Sequence, residues 1–168
     1  MHRRTALILA MAWSLGLGAC AHLGRDPQLS PGQSTSADVT ARYGQPTRVW
    51  PNADGGRTLE YSQQPWGTSC YMVRLGPDDR LIAIEDTLLY ASRFSVAPGM
   101  TPEQVSRLLG RERSRVFFRL SGEDVWDWNV MPDQSGYKLR FNVHFKNGTV
   151  FRLSQSTVFP DKFFMRDD

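Results

Sequence analysis

Cys70, His22 and His144 carry the thiol and imidazole groups that could act as nucleophile, base or metal ligand in the body of this chain. On residue types alone, Cys70 and His144 could form a Cys/His couple, with the imidazole activating the thiol. The pattern argues against it. Cys70 falls out of phase with the apolar alternation Tyr71, Val73, Leu75, and nothing supplies an orienting group or an oxyanion donor. His22 lies in a polar, proline-containing stretch. His144 alternates with apolar residues among Arg140, Asn142 and Lys146, as a solvated strand residue does. Metal-ligand spacings of the H-x-x-x-H or C-x-x-C kind are absent. The carboxylate pair Asp78-Asp79 sits at a hairpin tip, and Asp167-Asp168 sits at the terminus. No enzyme, metal or cofactor is expected, and no small-molecule substrate.

The chemistry the sequence does carry is at Cys20. Met1-His2-Arg3-Arg4 is a short basic region, followed by an apolar run from Thr5 to Leu17. That run is too short to span a bilayer, which takes about 20 apolar residues, and it reads as a signal peptide. It ends in Leu17-Gly18-Ala19-Cys20, where small residues let an extended chain enter a peptidase and the thiol can take a diacylglyceryl group. This resembles a bacterial lipobox, with Leu17, Gly18 and Ala19 as recognition residues and Cys20 carrying diacylglyceryl and N-acyl lipid. Two or more acyl chains anchor stably where one does not. Ala21 follows in place of Asp, which in lipoproteins of this type favours the outer membrane.

Loss of residues 1–19 from the 168 leaves 149, enough for one domain or two small packed repeats. Arg3 and Arg4 leave with the signal, so the net charge falls from +3 to +1. No basic run supports nucleic-acid binding. Cys70 is then without a cysteine partner, and reads as a buried thiol.

The chain also repeats itself. Gly32, Val39 and Gly44 match Gly99, Val105 and Gly110. Leu59-Glu60-Tyr61 matches Trp126-Asp127-Trp128, and Tyr71, Val73 and Leu75 match Phe141, Val143 and Phe145. Ile82 and Ile84 match Phe151 and Leu153. What recurs is apolar and glycine positions, a scaffold without a set of catalytic side chains. The organisation expected is a signal peptide at 1–19, a tether at 20–31, repeats at 32–87 and 88–157, and a C-terminal tail at 158–168. That tail contains Phe159, Phe163 and Phe164, which either pack back or dock a partner.

Each repeat opens with a helix signal. Thr101 is placed as N-cap with Pro102 at the first helical position and Gln104 in capping-box register. Val105, Leu108 and Leu109 form an apolar stripe, and Gly110 is the stop. Ser34, Thr35 and Ser36 are the possible caps of the first repeat, with Gly44 as its stop. A further short helix is expected around Leu88 to Phe94. Strands follow at 47–50, 57–62, 71–75 and 81–85, then through Trp126 and Trp128 and through Leu139 to Phe145, with Asn147-Gly148 as a tight turn. The class expected is α+β: two tandem repeats, each of short helices on a roughly four-stranded antiparallel sheet. The sheet face opposite the helices is expected to be uncovered and to carry Glu60, Arg74, Asp127, Arg140, His144 and Arg152.

The run from Pro98 to Leu153, with Gly99-Met100-Thr101, Leu108-Leu109-Gly110, Trp126/Trp128 and Phe141 to Gly148, resembles the SmpA/OmlA family of BamE-like outer-membrane lipoproteins. Gly32-Gln33-Ser34 replaces Gly-Met-Thr in the degenerate first copy. The resemblance implies a non-catalytic lipoprotein that faces the periplasm, is held to the outer membrane by its lipid, and binds protein partners, the barrel-assembly machinery among them, in outer-membrane protein assembly or envelope integrity. A tandem pair is similar to the architecture of β-lactamase inhibitory protein, which implies the alternative of an inhibitor-like periplasmic module docking an enzyme on its polar sheet face. For either, the residues expected to meet the protein partner are Arg74, Arg140, His144 and Arg152.

Overall fold

A computed structural model of the chain describes residues 27–134 and 136–159. The lipidation segment Leu17 to Cys20, His22 and the tail beyond residue 159 lie outside the described residues.

Local signals set the helices. α1 (Ser36–Tyr43) starts at Thr35, whose backbone N–H donates to the Asp38 carboxylate at 2.7 Å. α2 is the single turn Tyr90–Arg93. α3 (Pro102–Leu109) starts in a full capping box: Thr101 N–H donates to Gln104 Oε1 at 2.8 Å, and Gln104 N–H donates to Thr101 Oγ1 at 3.3 Å. Gly44 and Gly110 end α1 and α3 at φ 79° and 72°, a region that non-glycine residues rarely enter.

Strands dominate the rest. β1 (Arg48–Pro51), β2 (Arg57–Ser62), β3 (Cys70–Leu75) and β4 (Leu81–Asp86) form one antiparallel sheet in chain order. β5 (Ser114–Phe118), β6 (Glu123–Val130), β7 (Lys138–Lys146) and β8 (Thr149–Val158) form the second in the same way. The α+β class expected from the sequence is corrected here. Eight strands stand against helices of eight, four and eight residues, and the fold is predominantly β. Caps and stops mark where a helix begins and ends. They do not give it weight, and two turns of helix add little to two four-stranded sheets.

Each sheet carries a bulge in its last strand pair. Arg74 faces Ala83 while Leu75 faces Leu81, which leaves Ile82 as the extra residue. His144 faces Arg152 while Phe145 faces Val150, which leaves Phe151 as the extra residue. Ile82 and Phe151 are the very positions matched between the two halves of the sequence. Both are exposed, because a bulge turns the residue that alternation would have buried out of the ladder.

Two cores result. The first joins Val39 of α1 to Leu59, Tyr61, Val73, Leu75 and Leu81 on one face of the first sheet. Leu29, read from the sequence as tether, is buried in it. The second core joins Val105 and Leu109 of α3 to Trp126, Trp128, Phe141, Val143 and Phe145 of the second sheet. It also takes in Cys70 and Met72 from the other face of the first sheet. α3 therefore lies between the sheets and buries both. Each fully buried side chain of this kind contributes roughly 1.5–3 kcal/mol.

The join is polar at its centre. Glu60 has no exposure. It accepts Trp50 Nε1–H at 2.9 Å and the Arg111 backbone N–H at 2.7 Å. Trp128 donates its indole N–H to the Gly110 carbonyl at 3.2 Å. The Gln64 side-chain amide pairs with the Asn129 backbone as a neighbouring strand would, at 2.9 and 3.1 Å. The expectation that Glu60 lies on an uncovered face is thus corrected. Alternation tells which side of a strand a residue occupies, and not that a helix from the other half of the chain covers it.

Candidate functional site

With one face of the second sheet given to α3, the other is left without a helix. Its ladder sets side chains in rows across the strands. Val116, Val125, His144 and Arg152 form one row, Ser114, Asp127, Asn142 and Ser154 the next, and Asn129, Arg140 and Ser156 the third. Phe118 and Glu123 stand opposite each other at the end of β5 and β6.

These side chains are ordered by one another. His144 Nδ1 lies 2.8 Å from Glu123 Oε2, and His144 Nε2 lies 2.8 Å from Ser154 Oγ. Arg152 donates to the same Glu123 oxygen at 2.9 Å. Asn142 donates to both Ser154 Oγ and Ser156 Oγ at 3.2 Å. One assignment satisfies the chain: Asn142 donates to Ser154, the Ser154 hydroxyl to Nε2, and Nδ1–H to Glu123. The His144 hydrogen bond, opposed by partial desolvation and aided by Arg152, holds the Glu123 carboxyl below the usual glutamate range. Beside this network the Arg113 guanidinium forks onto Asp127, which also accepts from the Ser114 hydroxyl. Asp127 and His144 are both more than nine-tenths buried by this packing of polar side chains.

Ser154, His144 and Glu123 stand in the order of a nucleophile, base and acid. The surroundings do not suit acyl transfer. Strand N–H groups lie in the plane of the sheet, so none is aimed above Ser154 Oγ where an oxyanion would form, and that oxygen already accepts from Asn142. The array is a set of pre-oriented donors and acceptors, flanked by the exposed apolar side chains of Val116 and Phe118.

Of the residues expected to share a binding face, His144 and Arg152 are brought together, and Arg140 stands on the same face at the third row. Arg74 does not join them. It is exposed on the first sheet, opposite Thr58 and Ala83, so the four residues do not share one sheet. Asp127 belongs to that face, held by Arg113. Cys70 and His144 form no couple. Cys70 is buried in the core that covers one face of the second sheet, and His144 lies on the opposite face. Burial, with the nearby Glu60, pushes the Cys70 thiol up to about 12. Among the described residues no group of three or more His, Cys, Asp or Glu is placed to hold a metal ion.

Glu123 and Ser154 were not singled out from sequence. Period-2 counting from His144 along β7 reaches Arg140 and Asn142. It does not say which residues of β6 and β8 lie opposite, because the Phe151 bulge shifts the register.

Neither a family model nor a curated protein matches this chain. Among solved structures it is similar to a DUF4309 family protein from Bacillus subtilis subsp. subtilis str. 168, at 18% identity and a TM-score of 0.30, over 77% of this chain and 82% of that one. It is similar to an extracellular protein containing a SCP domain from Bacillus anthracis str. Ames, at 10% identity and a TM-score of 0.30, over 96% of this chain and 57% of that one. A third is a cysteine-rich secretory protein from Staphylococcus aureus subsp. aureus Mu50, at 11% identity and a TM-score of 0.27, over 76% of this chain and 46% of that one. Likenesses at these scores carry no statement about activity or partner.

Proposed function

We propose that the chain is a non-catalytic, lipid-anchored outer-membrane lipoprotein that holds a protein partner of the barrel-assembly machinery on the outer face of β5 to β8. The observation that carries the binding face is the pre-ordered row from Val116 through His144 to Arg152, closed by Glu123 and Ser154. Polar groups already locked in place lose little entropy on docking. Exposed Val116 and Phe118 supply apolar anchors beside them, the mixture that interfaces use. The lipobox ending at Cys20, the following Ala21 and the Gly99-Met100-Thr101 helix motif support the membrane and assembly parts of the reading.

The test is a pull-down of the lipidated protein from outer-membrane fractions, read by mass spectrometry, with wild type beside Arg140→Glu/Arg152→Glu. Recovery of barrel-assembly subunits by wild type and their loss in the double variant is the expected result. Recovery of a single periplasmic enzyme would replace the assembly role with the inhibitor-like one. Retention of every partner by the double variant would remove the binding face.

A further inference from the structure

On the opposite side of the second sheet, next to α2, lies a separate cavity of about 320 Å³. Tyr90, Arg93 and Phe94 line it from α2 and the turn after it, and Phe141, Leu153 and Gln155 line it from β7 and β8. That volume is at the low end of ligand pockets, roughly 300–1,000 Å³. Its lining is mostly apolar, with Arg93, Tyr90 and Gln155 bringing polar groups, while the hydroxyl of Ser154, which also lines it, is bonded on the other face of the sheet.

Arg93 is the anomaly. It is only 7% exposed, and among the described residues its Nε and Nη1 atoms are buried without a hydrogen-bond partner. Its guanidinium lies 5.4 Å from the Tyr90 ring centre and 5.7 Å from that of Phe141. Ring faces offset part of the cost of burying the charge, but they accept no hydrogen bonds from the fork. Among the described residues no carboxylate lines the cavity. Burial presses the Arg93 pKa below its ordinary value, yet a guanidinium does not give up its proton in a protein. A buried cation with unmet donors, at the wall of an apolar cavity, is complementary to an anion.

We infer that this cavity binds a small carboxylic acid with an aromatic or short acyl body, its carboxylate on the Arg93 fork and its apolar body between Tyr90, Phe94 and Phe141. Carboxylate matches the planar fork of a guanidinium, with two parallel N–H···O bonds. The apolar body follows from Phe141 and Leu153 at the floor. The exposed Tyr90 and Phe94, edge to face with centres 4.7 Å apart, form the rim. This site lies on the opposite side of the sheet from the proposed partner-binding face.

The experiment titrates the whole protein with phenylacetate, octanoate and the neutral phenylacetamide. Binding is followed by calorimetry and by the aromatic NMR signals of Tyr90 and Phe94. At least one acid should bind and shift those signals, with phenylacetamide at least about tenfold weaker than phenylacetate. Arg93→Met should abolish the preference for the acid while leaving the melting temperature equal or higher, since it removes an unpaired buried charge. Arg93→Lys, which keeps the charge and loses the fork, should bind more weakly than wild type and serves if the Met variant fails to fold. Absence of acid binding to wild type, equal binding of the amide, or unchanged binding by either variant would overturn the inference.

Discussion

The Glu60 carboxyl group on β2 accepts the backbone N–H of Arg111, 2.7 Å away, just past the end of α3. This bond ties the first sheet to the helix that covers the second. The other Glu60 oxygen holds the Trp50 indole at 2.9 Å. Glu60→Ala leaves both donors without their acceptor, each at about 1–3 kcal/mol, so a loss of about 3 kcal/mol is expected in urea unfolding. Glu60→Gln keeps one acceptor oxygen and should cost less. Equal and negligible losses in both variants would show that the join does not depend on this residue.

Gly110 and Gly44 end their helices at nearly the same backbone angles, yet they should respond differently to alanine. At Gly44 a Cβ would meet nothing within 4 Å, and only the backbone penalty of about 1–3 kcal/mol applies. At Gly110 it would also fall 2.4 Å from Cys70 Sγ and 3.2 Å from Glu60 Oε1. Gly110→Ala should therefore lower the melting temperature distinctly more than Gly44→Ala. Matching shifts would mean that the α3 end is not wedged against the first sheet.

Acid should loosen the outer-face network in a defined direction. Glu123 is held below its ordinary range by His144 and Arg152. Its contribution is complete above the unfolded carboxylate value of about 4.3, and is lost as pH falls through the lower folded value. The stability gap between wild type and Glu123→Gln should be present above about pH 4.3 and should close as pH falls below about 4. A gap that stays undiminished at the acid end would contradict the assignment.

Cys70 should behave as an inert thiol. It has no exposure, and its pKa is pushed up to about 12, so a thiolate is scarce at pH 8 and out of reach. Labelling by a thiol reagent should be negligible in native protein and should rise along the urea unfolding curve. Fast native labelling would place Cys70 at the surface.

Much of the fold was legible wherever a local device sets it. The Thr101–Gln104 capping box, the Gly44 and Gly110 stops and the Asn147-Gly148 turn, at φ 53° and 79°, each act within a few residues. Contacts made at long range were not. Nothing near Glu60 signals that α3 will lie over it, so a buried acceptor looked like a surface charge. The same gap separated Arg74 from Arg140, His144 and Arg152. The α+β expectation follows from two clear helix starts, but α1 and α3 run for only eight residues each. Glu123, Ser154 and Arg93 had no sequence signal of their own. Their meaning comes from neighbours that the ladders and α2 bring to them.

The most direct test of the central claim is photo-crosslinking in cells. A crosslinking residue is placed at Phe118 or Ser156 on the outer face of the second sheet, and at Ala41 on α1 as the control. The account predicts a discrete protein adduct from Phe118 and Ser156 that is lost on Arg140→Glu/Arg152→Glu, and none from Ala41. An adduct confined to Ala41, or no adduct at the sheet positions, would contradict it.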